Sequence, residues 1–586
     1  MEFSPEHRFI FHNVKEYPRI SEYIARFDTE TAKINLIAII IGLLTGFVIG
    51  VYDRILQYSN AFLGMQQEFS LHEFPQYYVL FVPAFGGLLV GIISHFLMKK
   101  KYGVDGLIET VTLRGARLNL RDVFLEVFTS IITISSRGAL GKEAPGILAG
   151  AGTGAFVGRI LKSTERQLQI LLGCGAAGGI AAAFNAPLAG VVFVVEVIYG
   201  ELETRTFIPI VISSVFATLV SSTLFGIKPI EISSYQLVSP YKELGLCLVL
   251  GLLAGVISTL LIRTLYYTKD VFSEIPPHPV FKPALGGFGV GLIGLFYPRV
   301  LGMGYNVIMD ALNSQFTFKL LLILLFLKIF AFSLSLGSGG TIVPSLFTGA
   351  MLGGAFWTAA NLLFPGTVAE QGAYAMVGMG AVFAGTARAP LTAILILFEI
   401  TRDYNMILPL MFACVLSSVM SNALYPESIF TGGLRRKGFK IRRGREVDIM
   451  SSMFVKDAMI TDVQTVSEEK SVEALTALMQ ISLHVGFPVL DSRGKLSGIV
   501  TLSDLRNKIK SGESDKKIKD IATRRLEVAY PDETLDTVLK RFASKQIGRL
   551  PVVDREDKTR LFGLITRSDI VNLYNKKVVE EVRDTY

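Results

Sequence analysis

Cysteine, tryptophan and histidine are scarce in this chain of 586 residues: three, one and six. Cys174, Cys247 and Cys414 each lie in an apolar run with no CxxC or Cys/His cluster around them, so they read as small core residues, neither disulfide partners nor metal ligands. The histidines (His7, His12, His72, His95, His278 and His484) are scattered and none belongs to an HExxH motif, which excludes an intramembrane zinc protease. Basic residues do not interleave with aromatic ones, which removes nucleic acid as an expected partner. Residues Met1 to Thr31 mix both signs of charge without an apolar centre, so no cleavable signal is expected and the first membrane segment acts as its own signal.

Charged residues amount to 18%, against 51% hydrophobic ones, and the mean hydropathy is +0.47. That is more apolar surface than a water-soluble chain needs for its cores, so the protein must meet lipid. Apolar runs extend over Ile34 to Val51, Tyr77 to Met98, Ile208 to Phe225, Leu244 to Ile262, Leu320 to Leu336 and Ile407 to Ala423. Several are shorter than the roughly 20 residues of a perpendicular span, and many contain glycine, which predicts an all-α membrane domain with tilted, broken and re-entrant helices. Hydropathy ends near Tyr425, and the next segment holds Arg435, Arg436, Lys437, Lys440, Arg442, Arg443 and Arg445. Positive charge beside a last span stays on the cytoplasmic side. The expected order is therefore a cytoplasmic segment (1–32), a membrane domain (33–432), a basic linker (433–448) and a cytoplasmic soluble domain (449–586), in a multi-pass protein of the plasma or inner membrane. The net charge of +8 belongs to such flanks.

The membrane part repeats itself. NAPLAGVVFVVE (185–196) and RAPLTAILILFE (388–399) share alanine, proline, leucine and glutamate at one spacing, and PGILAGAGTG (145–154) and PSLFTGAMLG (344–353) share glycine, alanine and glycine after a proline. Two pairs in the same order predict duplicated halves, about 33–228 and 240–432, in the inverted arrangement common among transporters. A generic small-residue packing motif is the plainer alternative. Pro145 and Pro344 sit where re-entrant helices should begin, and the free amides of a first turn carry partial positive charge. Two such ends pointing at one place would bind an anion, and the GSGG at 337–340 lets backbone approach it closely. Glu143 there could be a tethered anion that leaves when protonated or displaced, hence a gate. It could equally be a helix-capping glutamate, and the residues alone leave both readings open.

These stretches resemble the CLC family of chloride channels and proton-coupled chloride exchangers. GKEAP (141–145) is similar to its G[K/R]EGP, FNAPLAG (184–190) matches outright, and GSGGTIVPSLFTGAMLGGAF (337–356) is similar to the stretch around its GxFxP, read as Gly340, Ile342 and Pro344. RAPLTAILILFE and PESIF (426–430) fit its last helices. The resemblance implies an inverted-repeat, CLC-type transporter fold, a homodimer with one anion pathway per subunit, Glu143 as the gating glutamate, and an anion site among Tyr102, Lys142, Gly340, Thr341, Ile342 and Phe430. Tyr102 stands for the family's anion-coordinating serine in GSGIP (Lys101 to Asp105 here), and Phe430 for its central tyrosine, so two hydroxyl donors have changed. The amides of Thr341 and Ile342 are then expected to hold the anion, with the hydroxyl of Tyr102 as a second candidate. Asp105 should point away or pair with a cation. The position of the exchangers' internal proton-carrying glutamate is Val197, which favours a passive channel, although Glu201 and Glu203 could substitute.

FPVLDSRGKLSGIVTLSDL (487–505) recurs as LPVVDREDKTRLFGLITRSDI (550–570), each a strand, a turn, a strand and a capped helix. They resemble two CBS repeats, about 449–511 and 515–578, an α/β pair that often binds an adenine nucleotide (ATP, ADP or AMP). The resemblance places ribose contacts at Thr501 with Asp504 and Thr566 with Asp569; the plain alternative is that both aspartates cap helices. No obligatory cofactor, metal or enzyme activity is expected. The expected function is chloride transport across a lipid bilayer through a channel gated by Glu143 and regulated by the CBS pair. A proton-coupled antiporter is the alternative, and a CBS-regulated cation channel using Glu196 and Glu399 a remote one.

Overall fold

Eight helices among the described residues are long and apolar enough to cross a membrane. The computed structural model describes residues 29–62, 76–113, 116–200, 204–227, 238, 240–276, 278–337, 339–437, 453–482, 484–510 and 516–583. Glu201, Glu203, Lys440, Arg442, Arg443, Arg445, His7, His12, His72 and nearly all of the N-terminal segment lie outside them. The chain divides into two compact units, the first running to Leu434 and the second covering Glu446 to Tyr586.

In the first unit, one set of helices is α1 (Thr29–Phe62), α2 (Gln76–Phe96), α3 (Gly103–Leu113), α4 (Leu120–Ser135), α5 (Glu143–Ile160), α6 (Glu165–Phe184), α7 (Pro187–Phe193) and α8 (Thr204–Phe225). The second is α9 (Pro240–Glu274), α10 (Lys282–Phe296), α11 (Tyr305–Leu312), α12 (Phe318–Leu334), α13 (Ile342–Leu363), α14 (Gln371–Ala387), α15 (Pro390–Thr401) and α16 (Ile407–Leu424). The sets correspond in packing: α5 lies on α6 as α13 lies on α14, and α1 on α8 as α9 on α16. Lipid gives no hydrophobic reward for helix association, so close packing must supply it. Glycine allows this at both crossings. A Cβ on Gly150 would strike the carbonyl of Gly175, and one on Gly175 the carbonyl of Gly150; Gly349 and Gly378 stand in the same mutual relation. Where α2 meets α10, a third repeated pair appears, PAFGGLLVG (83–91) and PALGGFGVG (283–291), with Gly87 against the carbonyl of Pro283 and Gly287 against that of Pro83. Sequence reasoning missed this pair.

The APL segments show why their spacing repeats. α6 ends at Asn185 (φ 55°) and α14 at Arg388 (φ 59°), both left-handed, and each chain then runs through alanine into a helix whose first residue is proline. The carboxylate of Glu399 accepts from the amides of Leu188 (2.9 Å) and Ala189 (2.7 Å), at the start of α7. The carboxylate of Glu196 accepts from the amides of Leu391 (3.2 Å) and Thr392 (2.8 Å), at the start of α15, and from the Thr392 hydroxyl (2.7 Å). Each glutamate caps a helix of the other half. Both carboxylates are thus spent on helix amides. Glu399→Ala strands two of these amides and is expected to lower stability by about 3 kcal/mol, seen as a lower melting temperature of the detergent-solubilised protein; an unchanged melting temperature would refute the cap.

The second unit holds two hairpins. β1 (Val466–Ser467) pairs in parallel with β2 (Gly486–Leu490), which pairs antiparallel with β3 (Leu496–Thr501); β4 (Arg549–Val553) pairs antiparallel with β5 (Leu561–Thr566). The first turn forms because Asp491 accepts from the amides of Arg493 and Lys495 (both 2.8 Å) while Gly494 takes φ +73°. In the second, Asp557 accepts from the amide and hydroxyl of Thr559, which, with the Lys495 ammonium, hold its carboxyl down at about 2. The repeats exchange edges: Ile460 before the first pairs with Leu564 of β5, and Thr523 before the second with Ile499 of β3. Phe487, Val489, Val500, Phe542, Val552 and Ile565 fill the interior.

Candidate functional site

Residues 141–143 and 340–342 form the site because the loops that start α5 and α13 are hydrogen-bonded to each other. The Gly141 amide donates to the Gly340 carbonyl (2.9 Å), and the Gly340 amide to the Gly141 carbonyl (2.6 Å). The two helix starts are thereby fixed side by side. Each has its proline in the first turn, and the first-turn amides have no partner within their helices. Two partial positive charges meet at one place.

Glu143 fills it. Its side chain is fully buried. Oε1 accepts from the Tyr305 hydroxyl at 2.8 Å. Oε2 lies against Gly141 and Gly340 and completes no hydrogen bond among the described residues, with the amides of Lys142 and Glu143 close to the carboxylate. The Thr341 hydroxyl oxygen is also buried and without a partner among the described residues. Buried polar atoms are nearly always satisfied, so two unsatisfied ones at a meeting of helix N-termini mark a place built for something else to bind. Ile342 is fully buried, and its contribution there is its backbone amide. A cavity of about 290 Å³ leads up to Tyr305 and Lys142 and is lined also by Asp53, Gln57, Phe225 and Ile400. The Lys142 ammonium pairs with Asp53 there, and Gln57 donates to the same carboxylate at 2.8 Å.

The other expected residues have contacts of their own. Tyr102 is buried, and its hydroxyl accepts from the amide of Asn119 (3.1 Å). Its own amide and that of Gly103 donate to the carboxylate of Glu126 (2.7 and 2.9 Å), so the first turn of α3 is already occupied by a side-chain anion. Asp105 lies with one carboxylate oxygen beside Gly433 and the other beside Gly103. Phe430 is buried edge-on to Phe193, with centroids 5.9 Å apart. Val197 is buried in a π-helical turn, Val194–Tyr199, that continues α7; α15, its counterpart, is regular α-helix throughout. Such turns often mark functional positions.

In the second unit, Asp504 accepts from the Thr501 amide (2.8 Å) and hydroxyl (2.7 Å), and Asp569 from those of Thr566 at the same distances. Both aspartates therefore cap the helices that follow β3 and β5. A cavity of about 460 Å³ lies at the turns, with Thr461, Lys495, Asp557, Arg560 and Phe562 in its wall and none of those four residues.

Asp53, Tyr305 and Lys328 escaped the sequence reading. Lys328 is fully buried in α12, and its ammonium donates to the carbonyls of Val300 (3.0 Å), Gly302 (2.7 Å) and Met303 (3.5 Å). A signal existed for Asp53 and Lys328, each a charge within or beside an apolar run. Tyr305 had none.

The two inverted halves, the paired helix starts and the buried carboxylate between them define an integral membrane protein of CLC-type fold with an anion-like group in a backbone-lined site. Residues 86–422 match the model of the voltage gated chloride channel family, and the chain belongs to that family. Residues 455–511 and 518–576 each match the CBS domain. The chain is 33% identical over 367 residues to a Ralstonia nicotianae protein described as "chloride channel protein ClcB-like", covering 61% of this chain and 85% of that one. It is 29% identical to the H(+)/Cl(-) exchange transporter ClcA of Salmonella arizonae, over 71% of this chain and 91% of that one. Among solved structures, a slow cyanobacterial Cl-/H+ antiporter is similar, with 27% identity, a TM-score of 0.62 and coverage of 69% of this chain and 97% of the other.

Proposed function

We propose that the protein conducts chloride as a passive channel whose gate is the side chain of Glu143, and that the CBS pair regulates it from the cytoplasm. The observation that carries this reading is the fully buried Glu143 carboxylate at the joined starts of α5 and α13, with one oxygen unpartnered. A carboxylate seated there occupies an anion's place; protonation or a competing chloride releases it. The amides of Thr341 and Ile342 and the free Thr341 hydroxyl then receive chloride, with Gly340 giving close approach. Lys142, neutralised by Asp53, serves at the mouth. The apolar Val197 supports a channel, because valine carries no proton. Both family glutamates of the APL segments are engaged as caps, which takes away the matched carboxylate pair that the cation-channel reading would use.

Proton-coupled antiport is the second reading, favoured by the exchangers among the similar proteins. Chloride efflux and external pH are recorded together from liposomes with a potassium shunt and no proton ionophore. Chloride flux without proton movement is the expected result, and uphill proton transport driven by chloride would replace the channel with an exchanger.

The wider reading is a homodimer in the inner membrane with no enzymatic activity, halves near 33–228 and 240–432, a basic linker at 433–448 and CBS repeats near 449–511 and 515–578. An adenine nucleotide between the repeats would use Thr501, Asp504, Thr566 and Asp569, whose carboxylates each keep a second oxygen for ribose hydroxyls. Asp569→Asn is expected to weaken ATP binding to the purified protein about tenfold; calorimetry that gives equal affinities would leave Asp569 as a helix cap alone.

A further inference from the structure

An ammonium inside a membrane helix carries a desolvation cost that only specific partners offset. Lys328 has them in one place: the carbonyls of Val300, Gly302 and Met303 in the turn at residues 300–303, and the ring of Phe347, whose centroid is 4.7 Å from its nitrogen. That turn leads through Gly304 (φ +85°), itself packed on the Phe347 ring, into Tyr305, the first residue of α11. Its other face is held by the Gly302 amide, which donates to the Arg137 carbonyl at 3.1 Å. Phe347 belongs to α13, the helix whose first turn faces Glu143. One buried cation thus joins the turn that presents Tyr305 to the helix that presents the anion-binding amides.

We propose that Tyr305 is the latch of the Glu143 gate and that Lys328 is its positioning residue, fixing the turn at 300–304 so that the phenol meets Oε1 only when the carboxylate is seated. The assignment rests on Glu143 being the gate. A phenol donates one proton in one direction, and its position is set by a first helical residue on a turn pinned from both sides. The seated carboxylate therefore gains a bond that it loses on leaving, and the strength of that bond sets how often the path opens. The charged or titratable groups around Glu143 are Tyr52 and Asp53 on α1, Lys142 beside it and Tyr305 on α11. Only Tyr305 hydrogen-bonds the carboxylate through its side chain among the described residues.

The test measures chloride efflux from liposomes at acid and neutral pH for wild type, Glu143→Gln, Tyr305→Phe, Lys328→Met and Lys328→Arg, for Tyr305→Phe combined with Lys328→Met, and for each of those two combined with Glu143→Gln. Tyr305→Phe is expected to raise flux at neutral pH about tenfold, the weight of one hydrogen bond to a charged group, and to do nothing further in the Glu143→Gln background. Lys328→Met should act in the same direction, add nothing to Tyr305→Phe, and be silent in that background. Lys328→Arg, which can reach the same carbonyls, should keep the wild-type pH profile, and it tests Lys328 if the methionine variant does not fold. Opening by Glu143→Gln but not by Tyr305→Phe overturns the latch and leaves the gate. A Glu143→Gln flux identical to wild type at every pH overturns the gate, and the latch with it. An equal effect of Lys328→Met with and without Glu143 would reduce Lys328 to general packing.

Discussion

Glu143→Gln is expected to raise chloride flux at neutral pH about 100-fold, from a charge-assisted hydrogen bond and the field of two helix starts worth together about 3 kcal/mol. Glutamine has nearly the same shape but no charge, and it replaces one of the two acceptor oxygens with a donor group among backbone amides that are themselves donors. It has little reason to remain over Gly340. The wild-type flux should rise as pH falls, because protonation discharges the seated carboxylate; the glutamine variant should show a flat profile over the same range. Tyr52, Asp53, Lys142 and Tyr305 remain in the variant, so any residual slope reports on them. Efflux assays at graded pH decide the matter, and a variant that retains the wild-type slope would falsify the gating role.

Gly378→Leu is expected to leave no folded protein. Gly378 and Gly349 face each other across the contact of α13 and α14, each where the other's carbonyl permits no Cβ. Gly353 is packed in the same way on the carbonyl of Tyr374. Overpacking a core costs about 1–3 kcal/mol when neighbouring side chains can shift, but here the obstacle is helix backbone, so the helices themselves must part. Displacing α13 also moves Thr341 and Ile342, so the milder Gly378→Ala should lose transport before it loses its fold. Size-exclusion chromatography of the solubilised protein tests the first statement, and flux measurement the second. A leucine variant that elutes and transports like wild type would show that the crossing is not tight.

Hydropathy made six helices legible because large apolar residues dominate their runs, from Ile34 to Ala423. It passed over Glu165–Phe184 and Gln371–Ala387, whose burial depends on glycine and alanine and whose hydropathy is correspondingly diluted. The repeated prolines and glycines identified the starts of α5 and α13, because backbone chemistry there constrains sequence directly. The partner of Glu143 was beyond reach: Tyr305 is 162 residues away, and a tyrosine at a helix start has many other uses. For Glu196 and Glu399 the spacing was readable but the direction was not, since a cap within one half and a cap across halves demand the same residues.

Those exchanged carboxylates bear on the origin of the protein. A chain of half this length would have a proline-started helix with two bare amides and, nine residues after the proline, a glutamate pointing away from them. Neither defect heals alone. Two copies related by a two-fold axis heal both at once, as any self-complementary interface pairs unlike patches of identical subunits. The two halves therefore make, inside one polypeptide, the reciprocal contact that a two-fold pair of half-length chains would make.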